Sequence, residues 1–239
     1  MGFKTPLYLG LLLLVGLTGC ASQEIQRKDG ASSARAFKAA NLVKSEVDML
    51  AEINQREVLK SLRLISEKLY RRNPQEYRKS GHTSATAACD HIFGLIPHWI
   101  DKSQPFPNWE ENFKLTFVED FSGDRVQTFM TALISMLMAS YDHKTDFFLT
   151  DNLSAQKLYN SARNLEVAIW KLSNAKQPSG AALLISNSMD GEVANLSFER
   201  EFGKLIAQQD LLALILEDRS NRSISRVFQN AAAFAFLPL

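Results

Sequence analysis

The chain has 239 residues, 46% hydrophobic and 22% charged, with a formal net charge of +1. That apolar content suffices for one substantial core or two small ones. Eleven glycines and seven prolines are too few for an all-β chain built from many tight turns, and no low-complexity run or internal repeat is present.

The first residues, Met1-Gly2-Phe3-Lys4, carry one positive charge and no acid. Leu7 to Leu17 is then almost wholly apolar. A helix across a bilayer needs roughly 20 residues, so this stretch has instead the length of a signal-peptide core. It ends in Leu17-Thr18-Gly19-Cys20. Leucine, a small residue, glycine and cysteine in that order resemble the lipobox of bacterial lipoprotein precursors. The resemblance covers about the first 22 residues. It implies a signal peptide over 1–19, cleavage before Cys20, and lipid on the Cys20 thiol and on the new amine. Ala21 follows where an aspartate would mark inner-membrane retention, so the resemblance also implies sorting to the outer membrane. Residues 20–33 are expected to be the lipidated cysteine and its tether. Ala21 to Ser33 is small and polar and lacks helical apolar spacing. It reaches ~45 Å fully stretched and about 20 Å as a flexible coil. Several acyl chains anchor firmly where one is marginal.

If Cys20 is consumed as a thioether, only Cys89 remains of the two cysteines. A disulfide framework within the mature chain is then excluded. An exposed thiol would be a liability in an oxidising compartment, so Cys89 is expected to be buried. Loss of Lys4 with the signal leaves 26 bases against 26 acids. Their distribution is uneven: residues 24–79 carry a basic excess and the rest an acidic one. Two compensating faces of one fold account for this, and an acidic partner or membrane surface is the alternative. Compartment and charge together disfavour a nucleic-acid role.

Residues 34–239 are expected to form an all-α periplasmic domain, a compact array of about six or seven helices with a long N-terminal helix. Ser33 to Asn73 reads as one long helix, with Val43, Val47, Leu50, Val58, Leu62, Ile65 and Leu69 on one face. Pro74 is expected to end it. Ala85 to Ile100 reads as helical, disturbed by Gly94 and Pro97. Gln104 to Asn108 (QPFPN) is a loop, and Trp109 to Phe121 fits no single pattern. Asp124 to Tyr141 is apolar on most faces, as a central buried helix is. Leu153 to Asn174 is amphipathic, with Leu158, Ala162, Leu165, Ile169 and Leu172 in line. Lys176 to Gly180 breaks it, and Ala181 to Ile185 is a candidate short strand. Ser197 is a candidate cap for a helix from Phe198 to about Glu217, and Asn221 for a last one to Phe236.

The stretches QKLYNSARNLEVAIWKLSN (156–174) and NLSFEREFGKLIA (195–207) are similar to uncharacterised proteobacterial lipoproteins, a resemblance that implies no activity. Leu69-Tyr70-Arg71-Arg72-Asn73-Pro74 is similar in outline to helical-hairpin repeat lipoproteins, although no period of about 34 residues recurs.

Candidate chemistry is sparse. Cys89, Asp90, His91 and His98 form the one ligand-like cluster, but no CxxC or HExxH spacing accompanies it, and core or surface histidines are the favoured reading. No GxSxG elbow or glycine-rich phosphate loop is present. No catalytic residue, metal site or cofactor is assigned, and the chain is not read as an enzyme. Phe106, Trp109, Phe113, Phe117 and Phe121 step by three or four, as core residues or the wall of a groove would. Arg163 lies opposite the main stripe of its helix, near Tyr159, Glu166 and Trp170, and is expected to pair with Glu199 or Glu201. The one assigned site is lipidation at Cys20. The expected function is a membrane-anchored interaction or scaffold module with an envelope protein as partner. The alternative is a carrier or transport accessory binding an apolar ligand between helices. An exposed patch would mark the first and an enclosed apolar cavity of a few hundred Å3 the second.

Overall fold

A computed structural model describes residue 25, residues 43–188, 193 and 195–235, with side chains as far as Ser220. The expected signal peptide, Cys20 and the expected tether lie outside the described residues, apart from Ile25. The unit from Val43 onward is all-α. Among the described residues it has eight helical segments, six of them eight residues or longer: α1 (Glu46–Arg72), α2 (Pro74–Lys79), α3 (Ala85–Gly94), α4 (Ile96–Ile100), α5 (Trp109–Thr116), α6 (Arg125–Ser140), α7 (Ala155–Asn174) and α8 (Ser197–Ala235). None of these helices is long and apolar enough to cross a membrane.

A reciprocal cap starts α1. Ser45 Oγ accepts from the Asp48 amide at 3.2 Å, and Asp48 Oδ2 accepts from the Ser45 amide at 2.7 Å, satisfying two donors that the first turn leaves free. The part of the expected helix before Val43 lies outside the described residues. Val58, Leu62, Ile65 and Leu69 are buried as their spacing predicts. Val43 and Leu50 are exposed instead, because Ala51 occupies the core-facing position where α1 approaches α8. Pro74 does end α1, and then takes the first position of α2, where its missing N–H costs nothing. Asn73 between them works in three directions. Its Nδ2 donates to the carbonyls of Leu69 and Ile185, and its Oδ1 accepts from the Ile185 amide at 2.8 Å.

Gly94 and Pro97 divide the expected 85–100 helix into α3 and α4. Asn108 caps α5 by accepting from the amides of Glu110 and Glu111, so the undecided stretch is helical as far as Thr116. Asp124 caps α6 through the Gln127 amide. Its other carboxylate oxygen accepts from Tyr70 Oη at 2.9 Å and Ser80 Oγ at 3.0 Å. Burial and the Asp124 charge together push the Tyr70 phenol far above its ordinary range. α6 is the central helix: Val126, Phe129, Met130, Leu133, Ile134, Leu137 and Met138 are all buried, against α1, α3, α5 and α7.

Arg125, at the start of α6, is buried. Its Nη1 donates to the carbonyls of Thr116 at 2.7 Å and Val118 at 2.6 Å, and its Nη2 to that of Glu119 at 2.6 Å. Its backbone amide donates to Glu76 Oε2 at 2.8 Å. One guanidinium thus satisfies the carbonyls left open where α5 ends.

Two expectations are corrected. Ala181 to Ile185 is not a strand: a single bridge joins Lys176 and Ala182, after which Leu183 and Leu184 turn into the core. Pairing ends there because Asn73 takes the Ile185 backbone groups that a ladder would use. The C-terminal region is also not two helices but one, α8, and Asn221 lies within it. Between Gly203 and Pro238 there is no glycine or proline, and an interior asparagine costs only about 0.7 kcal/mol in propensity. Ser197 is the first helical residue. Its amide donates to Asn195 Oδ1 at 3.1 Å, so Asn195 rather than Ser197 supplies the cap.

Candidate interaction surface

α8 lies between α7 and α1. Phe198, Phe202, Leu205, Leu212 and Leu216 face inward. Toward α1, Arg219 pairs with Asp48 at 3.4 Å and Lys68 with Glu201 at 3.2 Å, which sets the two helices antiparallel. Toward α7, Arg163 pairs with Asp210 at 2.7 Å and Ser173 Oγ donates to Glu199 at 3.3 Å, again antiparallel. Arg163 therefore meets Asp210, not the expected Glu199 or Glu201. Glu199 lies level with the far end of α7, and Glu201 is on the α1 side, held by Lys68 and Lys204. Burial pushes the Glu201 carboxyl up, but hydrogen bonds from those two ammoniums outweigh it and leave its pKa lowered.

Outside this ion pair, α7 and α8 border an open groove of about 710 Å3. Tyr159 and Ala155 line it from α7, Ala213, Leu214 and Glu217 from α8, and the Arg163–Asp210 pair crosses it. The guanidinium also lies over the Tyr159 ring, 5.0 Å from its centroid, and contacts Glu166 at 3.0 Å. The apolar surface extends along both helices. Trp170 is 64% exposed, Leu214 61% and Leu211 60%, and Tyr159 is exposed as well. Tyr159 and Trp170 were legible as neighbours of Arg163. Leu211 and Leu214 were not singled out, although the run Leu211-Leu212-Ala213-Leu214-Ile215-Leu216 is apolar all round and cannot direct every member to one core.

The ligand-like cluster does not assemble. Asp90 pairs with Arg63, His98 Nδ1 lies 3.3 Å from Ser103 Oγ, and the His91 ring lies beside that of His82, 5.1 Å between centroids. No group of three or more His, Cys, Asp and Glu side chains among the described residues is placed to hold a metal. Cys89 is fully buried, 3.2 Å from Ser66 Oγ. Burial is the main cause that pushes its thiol up to about 11, so almost no thiolate exists at neutral pH. A thiol reagent should therefore modify the native protein at least ~100-fold more slowly than the urea-unfolded chain. Comparable rates would contradict the burial.

The aromatic stripe is half-buried, with Phe106, Trp109, Phe113 and Phe117 packed against the core while Phe106, Trp109 and Phe113 also line clefts. Phe113 and Phe117 pack on Phe129 with centroids 6.2 and 6.1 Å away, Phe106 lies between Trp99 and His143, and Phe121 lies under Arg125. Beside Trp109 and Phe113 is an apolar cleft of about 160 Å3, below the few hundred Å3 of a typical carrier site.

By fold, this is an all-α domain with an exposed groove between its last two long helices. Comparisons with protein-family models, curated proteins and solved structures find no match.

Proposed function

We propose that this chain is a lipid-anchored module of the bacterial cell envelope. Lipid on Cys20 holds it to the outer membrane, and its helical domain docks an envelope protein on the α7/α8 face. The observation that carries the docking reading is the exposed apolar surface of Tyr159 and Leu214 in the groove, with Trp170 and Leu211 also exposed on the same two helices. Large apolar residues grouped on an exposed face and rimmed by charge mark interaction sites; here the rim is Arg163, Glu166, Asp210 and Glu217. The carrier alternative is less well supported, since the most apolar cleft named above is small. The anchor reading rests on Leu17-Thr18-Gly19-Cys20 and the short apolar stretch before it.

The docking face is tested by Leu211→Glu with Leu214→Glu in the lipidated chain. Both side chains are exposed, so the unfolding free energy should change by no more than about 0.5 kcal/mol per site. A photocrosslinker placed at Trp170 should capture a discrete envelope protein in cells with the parent chain and lose it with the double variant. Identical crosslinking by the two would remove this face from the proposal.

A further inference from the structure

The 101–108 loop, the α3–α4 joint, α5 and the first two turns of α6 enclose a second open cleft, of about 630 Å3. None of its lining residues is charged, whereas the α7/α8 groove carries Arg163, Asp210 and Glu217. Its apolar surface comes from Trp99, Phe106 and two prolines, and its polar surface from the side chains of Gln104, Asn112, Gln127 and Thr131, with Asn108 at the edge.

Several of these polar groups are held at one end and open at the other. Asn108 Oδ1 is taken up by the α5 cap, which leaves its amide nitrogen. Asn112 Nδ2 donates to the Asn108 carbonyl at 2.8 Å, which leaves Oδ1. The Gln127 carboxamide lies 3.3 Å from Ser80 Oγ at one end, which leaves its other end open. The Gln104 carboxamide and the Thr131 hydroxyl have no hydrogen-bond partner among the described residues. Thr131 is only 9% exposed and lines the cleft wall. The cleft thus presents donors and acceptors in mixture, fixed in place before a ligand arrives.

A charged ligand would give up hydration here and find no counter-charge. A purely apolar one would leave the carboxamides unpaired. The chemistry that matches both surfaces is a ring with an apolar C–H face and a rim of hydroxyls, each able to donate and accept. We propose that this cleft binds an uncharged oligosaccharide. The assignment is independent of the α7/α8 docking face and of the lipid anchor.

The test uses the full chain, purified in a detergent without a sugar headgroup, and saturation-transfer NMR with chitotetraose and maltotetraose. A charged oligogalacturonate and a proline-rich peptide serve as comparison probes. At least one neutral oligosaccharide should bind with a dissociation constant in the millimolar range or below. Gln104→Ala, on an exposed loop, and Thr131→Val, of equal shape, should each weaken it by about 3- to 10-fold while leaving the unfolding midpoint in place. Leu214→Glu should leave binding unchanged. A wall glycan strand and a free saccharide share this chemistry: additional co-sedimentation with purified sacculi would assign the first, and free-sugar binding alone the second. Absence of neutral-sugar binding, indifference to both variants, or preference for the peptide or the charged oligomer would overturn the proposal.

Discussion

Arg125→Ala should lower the unfolding free energy by about 3–5 kcal/mol, the range for removing one member of a buried charged contact. The side chain makes three charge-assisted hydrogen bonds to the carbonyls of Thr116, Val118 and Glu119, for which net contributions are about 1.5–3 kcal/mol each and less where water replaces the donor. Alanine removes the donor and leaves those carbonyls to be satisfied by the solvent that can reach them. It also frees the turn that joins α5 to α6, so the loss should appear as loosened packing of Phe113 and Phe117 on Phe129 as well as a lower midpoint. Arg125→Lys should recover only part of the loss, because one ammonium cannot present a planar fork to three acceptors. Urea unfolding of the three proteins checks this. A loss below about 1 kcal/mol for alanine would mean that the carbonyls find water easily and that the guanidinium contributes little to holding α5 against α6.

The second large effect concerns the anchor, and it rests on the proposed lipoprotein reading. Cys20→Ser should abolish incorporation of a palmitate analogue and move the protein out of the membrane fraction. A lipid-free form of residues 21–239 exported to the periplasm should fold, because both core clusters found among the described residues are formed by residues after Val43. At matched abundance it should nonetheless fail to restore the phenotype of a deletion strain. A tether that reaches ~45 Å confines the domain to a thin layer. If the partner is membrane-associated too, that confinement raises its effective concentration by about 10²-fold or more without any new contact. Unchanged labelling of the serine variant would refute the lipid site. Full rescue by the lipid-free form would instead leave the lipid site standing and count against a partner at the membrane.

Much of the fold could be read from spacing. α6 and α7 lie within a residue or two of where apolar periodicity puts them, and Pro74 and Gly94 divide helices as their backbone chemistry requires. What could not be read was decided by contacts distant in sequence. Leu50 yields the core position to Ala51 because α1 must approach α8 closely there, and nothing near Leu50 records that. Asn221 looks like a cap in isolation, but with no glycine or proline nearby the helix runs through it. Arg163 has several acids within plausible reach on paper. Only the antiparallel setting of α7 against α8 brings Asp210, rather than Glu199 or Glu201, into range. The α7/α8 surface was half legible for a related reason: periodicity identifies which residues face inward on one helix, but not which leucines a neighbouring helix leaves uncovered.

The way the chain enters this fold also has a mechanical side. Val43 is the first residue of the all-α unit. Its carbonyl accepts from the Leu149 amide at 3.3 Å. The next residue, Lys44, is clamped by Glu52 and by Asp146 at 3.2 Å, and Asp48 one turn on is held by Arg219 at 3.4 Å. Tension arriving at this point is therefore divided at once among α1, the 146–149 segment and α8. α1 cannot be peeled away one turn at a time without first breaking ties to two other parts of the chain. Stretching the all-α unit from Val43 should accordingly give a single abrupt rupture at the start of α1, not a gradual unwinding of the helix.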